Sequence, residues 1–572
     1  MSVVLAWGLA AWLAQVSSGE AVETATTAGA TEAGSSTVAF TRSSTIALAQ
    51  PATTSPERDL DDAQHAEELA REALLFGGSV APPPPSLKGE EENSEEAREA
   101  ALFGAPLEEP VRAPAQAPGV GLLDRMRGEL EARDDRLSIG GRLLLQLQTN
   151  GLLDQPAEEV GISAPSFLEV YLDARPSERV RAFAQGRIQT DFTVESSQDA
   201  AVAGTSTDLF GFGISGTNAI LDQLWVKFDI AQRVYVTAGQ QRLRWGSSRF
   251  FNPTDFVNRQ RLNPVALFDQ RIGIGLLKFH LPLEDAGVNL YAIVDFEDAN
   301  RLDRLAGAFR AEWVVGTAEL ASSFAYQRER GLRAGLDVSA GVGRFELRSE
   351  VALAYGDRAV FFEGDFSSPP LVTPDALDRE DELLIQATFG GDTSFRLNED
   401  NDTLVLGFEY FFNDAGYADR ELYPYLILSS FSPEALRVLG ADLPEDRPLP
   451  GFAPFTISRH YVGLYALLAA PGSWDDTSFV FSGLLDPGRS TSGLLRVDVS
   501  QSVLTFLSLR FFAGVFFGGR GAFKPLLQDD SFQLVAGANP LPGVVPLLDA
   551  AFLPVEGFEP LFNLGTAITL DF

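Results

Sequence analysis

Three histidines, two methionines and no cysteine are all that a chain of 572 residues offers for imidazole, thioether or thiolate chemistry. His65 lies in a Glu/Ala-rich stretch. His280 and His460 fall in separate alternating segments, and His460 has no serine two positions on, as a membrane phospholipase pattern would require. No pair of them converges on a nucleophile in any strand register the sequence allows. Metal-ligand spacings and phosphate-cradling glycine loops are absent too. No enzyme activity, cofactor or metal is therefore expected.

What the chain does offer is charge at every second position. In RVRAFAQGRIQTDF (179–192), Arg181, Phe183, Gln185, Arg187, Gln189 and Asp191 share one face, and Val180, Ala182, Ala184, Ile188 and Phe192 the other. In RFELRSEVALAY (344–355), Arg344, Glu346, Arg348 and Glu350 oppose an apolar set running from Phe345 to Tyr355. FLEVYLDA (167–174) sets Glu169 and Asp173 against Leu168, Val170 and Leu172. With Arg142, Gln146, Lys227 and Asp229, these polar positions are the candidate lining of an aqueous lumen. Because both signs are present, facing walls of opposite charge would order water and small polar solutes between them.

A second constellation is GQQRLRWGSSRFFNPTDFVN (239–258). Asn-Pro followed by Asp reads as a turn initiator. Arg242, Arg244 and Arg249 set cations beside the aromatic rings. The stretch resembles the Trp-Gly then Asn-Pro-x-Asp pattern of a group of porin-like outer-membrane proteins of Proteobacteria, carried here by Trp245, Gly246, Asn252, Pro253 and Asp255. Gly-Gln-Gln (239–241) stands where Gly-Arg-Gln is usual. Two readings are open for Arg242, Arg244, Trp245, Arg249, Asn252 and Asp255: a loop folding inward to narrow a pore, or a structural turn at the barrel rim, the latter preferred by a small margin.

These residues need strands to position them. Alternation over about 9–13 residues recurs near 137–149, 166–174, 180–192, 220–229, 233–244, 271–281, 287–296, 305–315, 317–328, 331–341, 343–355, 382–390, 403–412, 459–469, 477–485, 492–501, 503–517 and 561–572. Such strands exceed the usual ~5–6 residues and suit a tilted membrane crossing of ~9–11. Tight turns interleave with long excursions, the asymmetry of a bacterial outer-membrane barrel on an even number of strands. The last strand, NLGTAITLDF, stops on Phe572 without a polar tail, as a strand that closes a ring can. It resembles the terminal strand of bacterial outer-membrane barrel proteins. The resemblance implies that Phe572 is the signal read by the barrel assembly machinery.

Residues 1–21 have the shape of a secretory signal peptide, although no Lys or Arg precedes the apolar run. Residues 22–136, rich in Ala, Glu and Pro, bury too little to fold and are expected to form a disordered periplasmic extension. Within them AREALLFGG (70–78) and AREAALFGA (97–105) repeat. Leu75, Phe76, Leu102 and Phe103 are candidate anchors for a periplasmic partner, with drift in a low-complexity tether as the alternative. The 79 acidic against 44 basic residues, a charge of −35, argue against nucleic acid as a partner.

The expectation is therefore an all-β chain: a transmembrane antiparallel β-barrel of about 18 strands over 137–572, in the outer membrane of a Gram-negative bacterium, acting as a porin-like channel for passive diffusion of small polar solutes. The alternative is a gated transporter of a hydrophobic or polymeric substrate. Two apolar loops motivate it, LYPYLILSSFSPEALRVLG (422–440) and NPLPGVVPLLDAAFLPVEGF (539–558). In the first, Ser432, Pro433, Glu434 and Gly440 are the signals of a short helix in an ordered constriction or lid.

Overall fold

The computed structural model describes residues 136–572 apart from 152–159, 178, 194–216, 259–270, 284–285, 298, 300, 365–373, 398–402, 432, 439–440, 446, 470, 473, 475, 489 and 526–561. The signal-like segment, the N-terminal extension with its repeat anchors, and the apolar stretch 539–558 lie outside the described residues.

Eighteen antiparallel strands close into one ring. The first nine are β1 (Leu137–Gly151), β2 (Pro165–Ser177), β3 (Val180–Asp191), β4 (Asn218–Ile230), β5 (Val234–Gln241), β6 (Ile274–Leu283), β7 (Val288–Asp295), β8 (Ala306–Val315) and β9 (Ala318–Gln327). The remainder are β10 (Gly331–Val342), β11 (Phe345–Tyr355), β12 (Leu384–Arg396), β13 (Thr403–Asn413), β14 (His460–Ala469), β15 (Thr477–Asp486), β16 (Ser492–Leu504), β17 (Leu507–Gly518) and β18 (Phe562–Asp571). Each pairs with the next, and β18 pairs back onto β1 through Arg142↔Asp571 to Gly151↔Phe562.

Every alternating segment of the sequence is one of these strands. The largest departure is at β12, expected to end at 390 but running on to Arg396; β5, expected to reach 244, ends at Gln241 because the chain leaves the wall at Arg242. The parity also holds. Leu336, Phe389 and Leu495 are 65%, 55% and 54% exposed on the outer face, while their inward neighbours Asp337, Thr388 and Arg496 are buried. The outside is thus apolar and the polar groups turn inward, the reverse of a soluble sheet.

One rim carries tight turns. Gly316 and Gly343 take φ of 65° and 67° there, which glycine adopts without strain. Between β4 and β5, Ala231 and Gln232 both have positive φ, 55° and 54°, a hairpin geometry that non-glycine residues disfavour. Asp229 offsets this by accepting the Gln232 N–H at 2.8 Å, while Arg179 grips its carboxylate at 2.8 and 2.7 Å. The opposite rim carries the long connections after β3, β5, β11, β13 and β17.

The longest ordered excursion, between β13 and β14, holds α1 (Tyr423–Phe431) and α2 (Pro433–Val438). The helix expected near 432–440 is α2, starting at Pro433. Its neighbour α1 was not anticipated, since the apolar residues of YPYLIL run consecutively rather than along one stripe. Tyr423, Leu426 and Leu436 are fully buried against Phe411, Tyr461, Leu484, Leu494 and Phe516 of the inner wall, at about 1.5–3 kcal/mol of burial per large side chain. Burial pushes the Tyr417 phenol up to about 12. It stays neutral while accepting the Phe362 N–H at 3.2 Å.

Phe572 extends the closing ladder by one more pair. The Phe572 N–H donates to the Gly141 carbonyl at 2.9 Å, and its own carbonyl accepts the Gly141 N–H at 2.7 Å. Its ring occupies the space where a Cβ on Gly141 would approach it to 2.6 Å. Deleting Phe572 removes both hydrogen bonds, each worth about 1 kcal/mol, together with the ring that covers Gly141. The expected outcome is a reduced yield of the compact, heat-modifiable band on gels; an undiminished yield would show that closure does not depend on this residue.

Candidate functional site

Two carboxylates stand midway along the inner wall, Glu350 on β11 and Glu409 on β13. Both are buried. Glu350 Oε1 accepts the N–H groups of Ser247 and Ser248, each at 2.8 Å. Its Oε2 accepts the Thr254 hydroxyl at 2.7 Å and the Thr254 N–H at 3.2 Å. Glu409 accepts three consecutive N–H groups, from Arg249 (2.8 Å), Phe250 (3.2 Å) and Phe251 (2.7 Å). A carboxylate is the strongest acceptor the chain can supply for a run of backbone donors that no sheet satisfies.

The segment so held, 242–258, is a strap across the lumen. It starts at β5, where Arg242 approaches Asp222 of β4 at 3.5 Å, and its turning point is pinned on β13. In strand order β5 and β13 are separated by seven strands one way and nine the other, so the strap spans almost the full width of the ring. Trp245 is buried with Val257 against Ile274, Leu276 and Ile293, and the Arg310 guanidinium lies 5.7 Å from its ring centroid. Arg310 is itself fixed by Asp337 at 2.7 and 3.0 Å.

The motif residues now have physical roles. Gly246 has φ 95°, and a Cβ there would fall 2.6 Å from the Glu350 carboxylate, so only glycine lets the backbone reach its anchor. Asn252 accepts the Asp255 N–H at 3.2 Å, forming the turn that reverses the strap. Asp255 accepts from the Asn258 side-chain amide at 2.7 Å, and that amide also bonds the Leu243 carbonyl, tying the returning arm to the outgoing one. Arg244 donates to the Ser248 carbonyl at 2.9 Å. Arg249 is buried, its guanidinium 3.9 Å from Asp392. The preferred sequence reading, a turn at the rim, is thereby corrected: the loop lies at mid-height inside the ring, because two buried carboxylates draw its N–H groups down.

Apart from Arg344, which lies in the exposed turn before β11, the expected lining residues lie on the inward parity, but they are not equally wet. Arg142 pairs with Asp571 at 2.7 Å, Arg181 with Asp173 through two bonds of 2.8 Å, and Gln185 with Gln223 at 2.8 Å. Glu346 bonds Arg348. The Lys227 ammonium lies over Tyr235 and Arg344 over Phe395. Arg187, Arg348 and Glu350 differ from the expectation. They are 2%, 3% and 0% exposed, because Arg187 sits on Asp222 (2.7 Å), Arg348 on Asp392 (2.7 Å), and Glu350 under the strap. Asp191 is also buried, capping the Ala164 and Thr193 N–H groups near the outer end of β3. Asp229, at the turn rim, serves the hairpin rather than the lumen.

Sequence reasoning missed Glu409, Asp222, Asp392 and Thr388. The available signal at Glu409 was a single charge inside LVLGFEYFF on the inward parity, a position that must find buried donors. His280 bonds Asn289 at 3.0 Å on one part of the wall and His460 bonds Tyr410 at 2.8 Å on another. Among the described residues no cluster of His, Asp and Glu could hold a metal ion.

No family model and no curated protein matches the chain. Among solved structures its neighbours are bacterial outer-membrane porins. The crystal structure of Pseudomonas aeruginosa OccK11 (OpdR) matches with a TM-score of 0.40 at 11% identity, over 76% of this chain and 95% of that one. Acinetobacter baumannii OccAB3 gives 0.40 at 8% identity, over 76% and 99%. A triple mutant of Rhodopseudomonas blastica porin gives 0.33 at 11%, over 76% and 100%.

Replacing Glu350 by Ala orphans four buried donors, at about 1–3 kcal/mol each if the strap stays in place. The strap is therefore expected to leave its seat, giving a larger single-channel conductance from a barrel that still folds. Conductance equal to wild type would mean that Glu350 does not hold it.

Proposed function

We propose that the chain is an outer-membrane channel for passive diffusion of small polar solutes, with the strap as its constriction and the α1–α2 segment as a lid on the long-loop mouth. The observation that carries this reading is the inversion of the wall, apolar outside and charged inside, on a ring of eighteen strands. A ring of that size encloses a lumen unless its loops fill it, and an apolar outer band is what a bilayer requires. The long-loop rim then faces outward, and both ends of the barrel domain lie on the turn rim, toward the periplasm. Residues 1–21 serve as the export signal, and the repeats at Leu75, Phe76, Leu102 and Phe103 dock a periplasmic partner.

One observation favours a second reading, a gated transporter of a hydrophobic or polymeric substrate. The lid seats Tyr425, Leu426 and Ile427 in an apolar mouth between β13 and β17 instead of leaving it wet. Its anchor is Asp486, which accepts from Arg420, from the Ser458 hydroxyl (2.8 Å) and from the Ala522 N–H (2.8 Å).

Planar-bilayer recordings separate the two. Wild-type protein is expected to conduct without any added substrate, and replacing 424–450 by a Gly/Ser linker to raise the conductance; silence that ends on that excision would favour the gated transporter. The membrane assignment has its own check. Val351→Arg, on the outer face near mid-strand, should cost about 2–4 kcal/mol of folding stability in lipid, whereas Gln146→Arg, on the inner face, should fold normally and change only conductance. Equal folding defects would show that inside and outside are misassigned.

A further inference from the structure

The turn-side half of the inner wall carries aromatic rings that neither the strap nor the lid uses. Tyr171 on β2, Phe183 on β3 and Trp225 on β4 come from three adjacent strands and share the inward parity with Asp173, Arg181 and Gln223. The first two rings lie 6.1 Å apart at 17°, the next two 5.4 Å apart at 22°. They form one continuous strip. Phe411, Tyr461 and Phe516 on the inner wall are buried in the core under the lid, and Tyr235 and Tyr291, inward and half-buried as well, stack on the two sides of His280. The three rings of the strip are only half-buried and belong to no apolar cluster. Apolar surface left in an aqueous passage is unfavourable without an occupant.

The polar groups around the strip say what that occupant is. Arg181 and Asp173 neutralise each other through two hydrogen bonds of 2.8 Å, and the Arg181 guanidinium also lies 5.7 Å from the Trp225 ring centroid. Gln185 and Gln223 bond to each other at 2.8 Å. An anionic solute would have to compete with Asp173 for Arg181, leaving that carboxylate only its longer contact with Arg175 at 3.6 Å. A neutral hydroxyl does not: it can donate to Asp173 or a glutamine oxygen and accept from a glutamine amide while the pair stays intact. Flat aromatic surface beside paired, planar donors and acceptors suits a ring that has a C–H face and a hydroxyl rim.

We propose that the Tyr171–Phe183–Trp225 strip is a binding subsite for a neutral saccharide ring on its way through the lumen. The proposal rests on the channel reading for its purpose, though not for the binding itself. Its test is therefore done in two formats. In detergent micelles, tryptophan fluorescence of the full chain is titrated with maltose, with the acyclic polyol mannitol, and with the anionic ring cyclohexanecarboxylate. Maltose should give a saturable change that is absent in Trp225→Phe. Phe183→Ala should weaken it about tenfold, and Phe183→Tyr should retain it. In planar bilayers, maltose should reduce the current with the same order of affinity.

Binding of mannitol or cyclohexanecarboxylate as tight as that of maltose would overturn the proposal, as would a maltose response indifferent to Phe183→Ala. A protein that conducts but shows no maltose response loses the subsite and keeps the channel. One that binds maltose through the strip yet never conducts keeps the subsite and loses the channel.

Discussion

Seven donors converge on two buried carboxylates, four on Glu350 and three on Glu409, and hold a stretch of backbone that lies outside the sheet in the middle of a wide ring. The constraint behind them is general. A segment that leaves the sheet and enters the lumen carries N–H groups that must be satisfied by something other than a neighbouring strand. Serine or glutamine at those wall positions could accept one or two of them. A carboxylate, with two oxygens and no proton to place, accepts a whole run. The desolvation of each carboxylate is offset by the donors that converge on it, so strap and anchors hold only as a set.

The rest of the interior is arranged around that strap. Its tip carries Phe250 and Phe251, which enter the aromatic group of Phe411, Tyr461 and Tyr465. Gly463 makes room for the Phe250 ring, since a Cβ there would come within 2.4 Å of it. The lid helices then pack on the same group from the long-loop side, and the hairpin of Val360–Glu363 and Asp375–Asp378 clips onto the lid through Arg447. At that clip the Glu380 N–H and Arg447 hold the Asp378 carboxyl below its ordinary range. The contribution is therefore present at neutral pH and lost as acid protonates the group. The turn-side half of the lumen, by contrast, holds Arg181 with Asp173 and Arg142 with Asp571 in wall-to-wall pairs and keeps its aromatic strip partly open.

The ring itself was readable because its signal is local. Alternation of period two names the strand, its inner face and its length without reference to any partner, and the final Phe572 marks the closing edge. The strap was harder. Trp245, Gly246, Asn252 and Asp255 stood out as a motif, yet nothing in twenty residues says that their backbone will be captured by side chains about 100 and 160 positions away. The same non-local pairing explains why Arg187, Arg348 and Glu350 read as wet lining but are buried. The first helix of the lid escaped because its apolar residues run consecutively from Tyr423 and show no amphipathic period, whereas α2, with proline at its first position, was visible.

The central claim is that the strap lies across the lumen against β11 to β13, and the absence of cysteine makes it directly measurable. The hydroxyls of Ser248 on the strap and Thr388 on β12 are 2.8 Å apart. In the double variant Ser248→Cys, Thr388→Cys, mild oxidation of the folded protein should form that disulfide nearly completely, as read by mass spectrometry, with conductance unchanged. Two free thiols that both react with a maleimide added from the long-loop side would contradict the account.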